Sequence, residues 1–410
     1  MNLYLFNDND SAATYGIGTY INELTKALEG HTVNIHILYL HSVRPEFEIV
    51  KANPVEHWYI PEVRNENTFS GSIQKAEDYC YNVFYLLRLY ITDTKDLIFH
   101  FNFNQYQFLA KELKTVFDCR TVAAVHYTRW SLELLGNLSM LHEIKSKPEN
   151  QRTPHEQLLL TTDEYESFLY KETDKVITLT RDMKKILCNE YQIDPDKITI
   201  IPNGLEYSEK KTDKNVLRIK WHIPEKEPVI FFAGRLHPVK GLKFLIKAFR
   251  KVLDQIPDSH LFIAGSGNFN TYIQEAKDIC TKVTFTGLLE KKELYEFYRL
   301  VDIGVIPSLY EPFGLVALEM MAHELPIVVT STSGLNEVVD DLCGLKIPVI
   351  FNNNNAEIDT DLLAEKIVYL LKNPDNAKQF GENACKRYKE HFSSDVFRKN
   401  MLDFYNSLLA

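Results

Sequence analysis

The 410-residue chain is too long for one hydrophobic core, and its 45% hydrophobic content is enough to fill two. Its mixed charge, net −10, argues against a nucleic-acid binder, which presents a basic face, and weakens electrostatic docking to an anionic membrane. Six scattered cysteines (Cys80, Cys119, Cys188, Cys280, Cys343, Cys385) form no C-x-x-C pair, which speaks against zinc or a disulfide framework and for reduced thiols in the cytosol.

The N-terminus, "MNLYLFNDND", has no basic segment followed by a long apolar run and reads as a first strand, "LYLF" (3–6), rather than a signal peptide. "TYGIGTYI" (14–21) follows it as a glycine-rich loop opening a helix, with Gly16 and Gly18 supplying backbone N–H groups. It is not a full G-x-G-x-x-G, and no acidic residue ends the next strand, so NAD binding is not expected. Further strands are predicted at "VNIHILYL" (33–40), "LIFHFN" (97–102), "TVAAVH" (121–126), "KVITLT" (175–180) and "ITIIPNG" (198–204). Between them, "YNVFYLLRLYI" (81–91) is short and broken by Arg88, and nothing reaches the roughly 18 apolar residues of a spanning helix. The aromatic-rich stretch 79–108 is core, or else a membrane-facing or acceptor-binding surface. Residues 127–172 are polar and helical and read as an insertion on the first domain. His126 closes a strand, a place where a histidine is either structural or catalytic. Asn203, in "PNG" (202–204), lines a hinge or makes an ordinary turn.

The charged, strand-poor segment 206–228 marks the domain boundary. The alternation then restarts with "VIFFAG" (229–234), "HLFIAG" (260–265), "KVTFTG" (282–287), "IGVIPS" (303–308) and "LPIVVTS" (325–331). Two doubly wound parallel sheets in tandem follow from this pattern, with ligands expected beyond the carboxyl ends of the strands and in the cleft between the domains. "NNNN" (352–355) reads as a low-complexity loop, and the stretch from Phe392 to the end has helical periodicity.

Three loops carry chemistry. "GRLHPVKG" (234–241) sets Arg235 and Lys240 on one strand-to-helix loop, suited to a diphosphate, the alternative being solvated charges. "AGSGN" (264–268), with Gly265 and Gly267, lets a ligand approach the backbone or makes a simple turn. In "EPFGLVALE" (311–319), Gly314 frees the chain to enter a helix whose first N–H groups, at Phe313 to Leu315, form an anion site. Glu311 lies beyond that end, either receiving sugar hydroxyls or capping the helix. Glu319 sits inside the helix and needs a polar partner, because a buried lone carboxylate is costly. A ribose diol would serve, unless Glu319 reaches the surface.

In this order, "IPNG", "GRLHPVKG", "AGSGN", "FTG" and "EPFGLVALE", an E-x7-E motif, resemble glycosyltransferase family 4, whose members have the GT-B fold: two Rossmann-like doubly wound domains facing a central cleft. The resemblance is strongest over 198–345. In the first domain it rests on "GIG" and His126, and it departs at Tyr15, where glycine is usual, and at Tyr127, where an acidic residue often follows the histidine. It implies domains 1–204 and 205–391, with a C-terminal helix (392–410) crossing back to the first. It implies a retaining, metal-independent transfer from a nucleotide sugar, weakly a UDP-sugar, to a glycan, lipid-linked sugar or peptide. No cofactor is implied; the location is cytoplasmic, with a possible peripheral contact at the inner membrane face. Arg235 and Lys240 would stabilise the departing diphosphate, Glu311 would contact the sugar beside the amides of Phe313, Gly314 and Leu315, and Glu319 would hold the ribose. His126 would lie over the sugar, and Gly16 and Gly18 would approach the sugar-phosphate. The base would lie near Gly265–Asn268 and Gly287–Leu288. Three other readings stay open: a metal-dependent transferase using "DND" (8–10), a nucleotide-sugar epimerase of the same architecture, and a non-catalytic nucleotide-sugar-binding scaffold.

Overall fold

The structure is a computed structural model and describes residues 1–8, 16–62, 73–207, 212–352 and 355–410. It divides into two compact units: Met1–Ser131, Leu141–Gly204 and Ser394–Ala410 in the first, Leu132–Met140 and Leu205–Ser393 in the second.

The first unit is built on eight strands: β1 (Asn2–Asn7), β2 (Asn34–Ser42), β3 (Glu48–Ala52), β4 (Val55–Pro61), β5 (Leu97–Phe101), β6 (Cys119–Val125), β7 (Lys175–Thr178) and β8 (Ile198–Ile200). Their order is β3-β4-β2-β1-β5-β6-β7-β8, parallel except for the β3–β4 hairpin. Leu3, Tyr4, Leu5 and Phe6 of β1 are almost fully buried, as a parallel strand covered on both faces must be. Helix Ser394–Leu409 presents Phe397, Met401, Phe404, Tyr405 and Leu408 at helical spacing and packs them into the core of Leu3, Leu5, Ile21 and Leu24. The hairpin was not among the predicted strands. In "VEHWYIP" only Val55, Trp58 and Ile60 turn inward, so the run lacks the continuous apolar signature of the central strands.

The second unit carries β9 (Val229–Ala233), β10 (His260–Ala264), β11 (Val283–Gly287), β12 (Ile303–Ile306), β13 (Ile327–Thr330) and β14 (Leu345–Ile347) in the all-parallel order β11-β10-β9-β12-β13-β14. A separate antiparallel hairpin joins β15 (Val349–Asn352) to β16 (Asn355–Ile358). Asn352 and Asn355, the ends of the asparagine run expected as a low-complexity loop, are instead paired across this hairpin, and residues 353 and 354 lie outside the described residues. The polar segment 127–172 is helical, but Leu132–Met140 belongs to the second unit, so it is not wholly an insertion on the first. Gly136 explains the tight fit there: a Cβ on it would meet the Tyr310 ring at 2.8 Å.

Each sheet has one point where the winding reverses. It lies between β1 and β5 in the first unit and between β9 and β12 in the second. Doubly wound sheets bind ligands beyond the carboxyl ends of the strands at such points. No helix of the described residues is long and apolar enough to cross a membrane. Along helix Ile73–Tyr90, Tyr79 is buried and hydrogen-bonded to the Ile60 carbonyl, whereas Tyr81, Tyr85 and Leu89 form an exposed stripe at four-residue spacing.

Candidate active site

In the second unit, three strand-end loops are bound into one edge. The Gly234 amide donates to the Ala264 carbonyl at 3.0 Å, Gly265 to Gly287 at 2.8 Å, and Leu236 to Ser266 at 2.7 Å. The backbones approach so closely that a Cβ on Gly265, which has φ +147°, would fall 1.8 Å from the Gly234 carbonyl oxygen. Only glycine fits there, whatever else the loop does. Gly265, Gly267 and Leu288, expected around the base, therefore sit on adjoining loops. Gly267 is paired with Leu236, and Leu288 is exposed.

The loop after β9 turns at Pro238–Lys240 and meets the loop after β12. The Leu309 amide donates to the Val239 carbonyl at 2.7 Å, which aims Lys240 across the switch point. Its Nζ lies 2.5 Å from Glu311 Oε2, and the Ser308 hydroxyl reaches the same oxygen at 3.4 Å. Both charged side chains are largely shielded, so the pair offsets a desolvation cost that neither could bear alone. Arg235, on the same loop, is exposed. Gly314 (φ +106°) then starts helix Leu315–Ala322, with Phe313 and Gly314 buried and Leu315 in the first turn. The partial positive charge of that helix end adds to Arg235 and Lys240.

Glu319 has a protein partner: the Tyr298 hydroxyl, from helix Lys291–Leu300, donates to Glu319 Oε2 at 2.8 Å. The sequence reading offered the ribose or the surface and missed this tyrosine. Just beyond, His323 donates from Nδ1 to the Glu319 carbonyl at 2.7 Å. Burial pushes His323 down to about 4, and the Tyr207, Tyr295 and Tyr298 rings surround it.

In the first unit, Gly16 and Gly18 open helix Gly16–Leu28 after β1, Gly16 exposed and Gly18 buried, and His126 follows β6. His126 is buried, and burial holds it down at about 3, so the ring is neutral. Its Nε2 lies 3.2 Å from Asn102 Oδ1, and Tyr20 meets it edge-on at 4.6 Å between centroids. Asn102 and Asn104, just past β5, were not among the predicted residues. "NFN" at a strand end beside the switch point was the signal that could have marked them. Asn203 follows β8, the edge strand two places from β6. It is buried, with Oδ1 lacking a hydrogen-bond partner among the described residues. Of "DND", Asp8 accepts from Gln105 at 3.0 Å and from the Tyr106 hydroxyl, while residues 9 and 10 lie outside the described residues, as does Tyr15. Among the described residues no three His, Cys, Asp or Glu side chains are grouped to hold a metal. A groove of about 270 Å³ elsewhere in this unit, beside Lys145, Asp163 and Glu190, lies away from the switch point; Lys145 already pairs with both carboxylates.

Two doubly wound Rossmann-like units, each with its loops gathered at the switch point, define the GT-B class of nucleotide-sugar-dependent enzymes. Residues 14–209 match the family model described as glycosyltransferase family 4, and residues 213–387 match that of glycosyl transferases group 1. The chain belongs to glycosyltransferase family 4. It is 36% identical over 179 residues to an uncharacterized glycosyltransferase of Methanocaldococcus jannaschii, covering 41% of this chain and 45% of that protein, under half its length. It is 26% identical over 328 residues to an alpha-maltose-1-phosphate synthase of Mycolicibacterium smegmatis, covering 74% and 83%. In fold it is similar to sucrose-phosphate synthase from Thermosynechococcus elongatus (TM-score 0.75, 20% identity, 100% and 99% covered). It is also similar to Anabaena HepE in complex with UDP-glucose (TM-score 0.71, 15% identity, 99% and 100% covered).

Proposed function

We propose that the protein moves a sugar from a nucleotide-sugar donor, UDP-linked in the first instance, to a hydroxyl of a glycan, lipid-linked sugar or peptide, with retention and without a bound metal. The observation that carries this is the Lys240–Glu311 pair, 2.5 Å across the switch point, with Arg235 on the same loop and a helix N-terminus beside it. In a dissociative transfer, positive charge grows on the sugar and negative charge on the departing diphosphate. Preorganised cations and amides at the diphosphate lower that barrier. Lys240 passes from Glu311 to the diphosphate when donor binds, which frees Glu311 for sugar hydroxyls. The bond from the anomeric carbon to the diphosphate breaks, and the acceptor oxygen bonds on the same face. Its proton passes to the leaving phosphate oxygen. Glu319 holds the ribose, and Gly16, Gly18 and His126 belong to the sugar-phosphate and sugar in the same proposal. UDP is favoured because a protein of similar fold was captured with UDP-glucose. We place the enzyme in the cytoplasm. Any peripheral membrane contact falls on the Tyr81–Tyr85–Leu89 stripe, and co-sedimentation with anionic vesicles, lost in Tyr85→Ser, tests it.

The decisive experiment is nucleotide diphosphate release from a panel of UDP-, GDP-, ADP- and dTDP-sugars, with and without EDTA, using Arg235→Ala and Glu311→Ala as controls. Release from one donor, insensitive to EDTA and lost in both variants, is expected. Activity abolished by EDTA and restored by manganese overturns the metal-free reading. Epimerised donor without transfer moves the assignment to an epimerase. No release and no thermal shift with any nucleotide leaves a non-catalytic scaffold.

A further inference from the structure

Asn102 stands one residue beyond β5, where the strand's ladder to β1 ends at Phe6 opposite Phe101. Its side chain extends that ladder: Nδ2 donates to the Phe6 carbonyl at 3.1 Å. The amide can stand only one way round, since reversing it would set two carbonyl oxygens against each other at that distance. Oδ1 therefore faces His126 Nε2 at 3.2 Å, and an amide oxygen can only accept. A proton must sit on Nε2. With the ring neutral, Nδ1 keeps its lone pair.

We propose that Asn102 is a positioning residue that locks His126 as the neutral Nε2–H tautomer, so that the ring offers Nδ1 as an acceptor for a hydroxyl and has no second N–H to donate. Both side chains are buried, Asn102 at 1% and His126 at 8% exposure, so water does not compete for the bond. The loop behind the ring is held by the same strand end: Asn104 Nδ2 donates to the Tyr127 carbonyl at 3.1 Å and to Glu166 Oε1 at 3.1 Å. Asn102 thus sets the proton while Asn104 sets the backbone. The use of Nδ1 toward a sugar hydroxyl rests on the proposed transfer. The tautomer does not.

The test is a two-bond nitrogen–proton correlation spectrum of the full chain labelled in histidine, with His126 assigned by its loss in His126→Gln. Wild type is expected to show Nε2–H. Asn102→Asp, its buried carboxyl protonated on the oxygen that donates to the Phe6 carbonyl and accepting from Nε2–H with the other, keeps that pattern, and Asn102→Leu, which does neither, populates Nδ1–H. Donor turnover should follow the tautomer: Asn102→Leu loses about tenfold in kcat/KM, the worth of one hydrogen bond, and Asn102→Asp recovers most of it whatever their melting temperatures. An Nδ1–H signal in wild type overturns the proposal, and it does so even if Asn102→Leu fails to fold. So does an unchanged His126 pattern in Asn102→Leu. Low turnover in an Asn102→Asp protein that keeps Nε2–H overturns the claim that the tautomer governs activity. If wild type shows Nε2–H but turns over no donor, the sugar-transfer reading fails and the assignment of the proton stands.

Discussion

The two switch points share a topology and differ in charge. Beyond β9 and β12 stand Arg235, Lys240 and Glu311, with Lys240 and Glu311 joined in a bridge across the switch point. Beyond β5 and β6 stand Asn102 and His126, with Tyr20 edge-on to the ring, a buried set with no formal charge; the carboxylate at this switch point, Asp8 just past β1, is bonded to Gln105 and Tyr106 instead. The contrast is what the proposed transfer would require. A departing diphosphate needs compensating charge, whereas a sugar needs hydroxyl partners that do not themselves change charge at neutral pH.

The largest effect expected from breaking this contrast is at the charged side. Lys240→Ala should lower donor turnover by about 10²–10³-fold, as loss of a preorganised electrostatic contact does. It should also lower the melting temperature, because Glu311 is left shielded from water without its cation. Adding Glu311→Ala should restore part of that stability and none of the turnover. If the double variant melts no higher than the single one, the pair is not the coupled unit its geometry describes.

A smaller effect is expected at Tyr298. Tyr298→Phe removes the hydrogen bond to Glu319 Oε2 without touching the diphosphate side. The donor KM should rise about tenfold with kcat nearly unchanged, the signature of lost ground-state binding. The preference for UDP over 2′-deoxy-UDP in competitive inhibition should narrow at the same time. An unchanged preference would separate Glu319 from the ribose.

These two sites show what the sequence carried and what it could not. Glycines at strand ends, the 311–319 spacing and the cations of "GRLHPVKG" are local signals, because each depends on a turn and the helix that follows it. The partners are not local. Tyr298 reaches Glu319 from a helix 21 positions earlier, and Asn102 reaches His126 across 24. Only strand order brings such pairs together, and periodicity does not state strand order. The β3–β4 hairpin was missed for a related reason: its alternating inward residues resemble loop composition once a histidine and a glutamate interrupt them.

The smallest effect expected is in pH dependence, and it refines the description of the uncharged side. Burial pushes His100 and His126 each down to about 3 from an ordinary value near 6.5. Above 6.5 neither the folded nor the unfolded chain protonates them. As pH falls below 6.5 the unfolded chain takes up protons that the folded chain refuses, so stability is lost toward acid. Glu166 acts in the opposite sense. It is buried beside Asp163, and its carboxyl is raised to about 7 from 4.5, although the Asn104 amide and the Arg129 backbone N–H partly offset that rise. The folded chain therefore holds a proton there that the unfolded chain has released. That contribution is complete below pH 4.5 and disappears as pH rises through 7. Glu166→Gln removes this second dependence and leaves the histidines alone. Its melting temperature should gain on wild type by a few degrees between pH 5 and pH 8, on the order expected for a unit of this size. A difference that stays flat over that range would mean Glu166 ionises at its ordinary value in the folded chain. The loop after His126 would then be held by an anion rather than by a neutral acid.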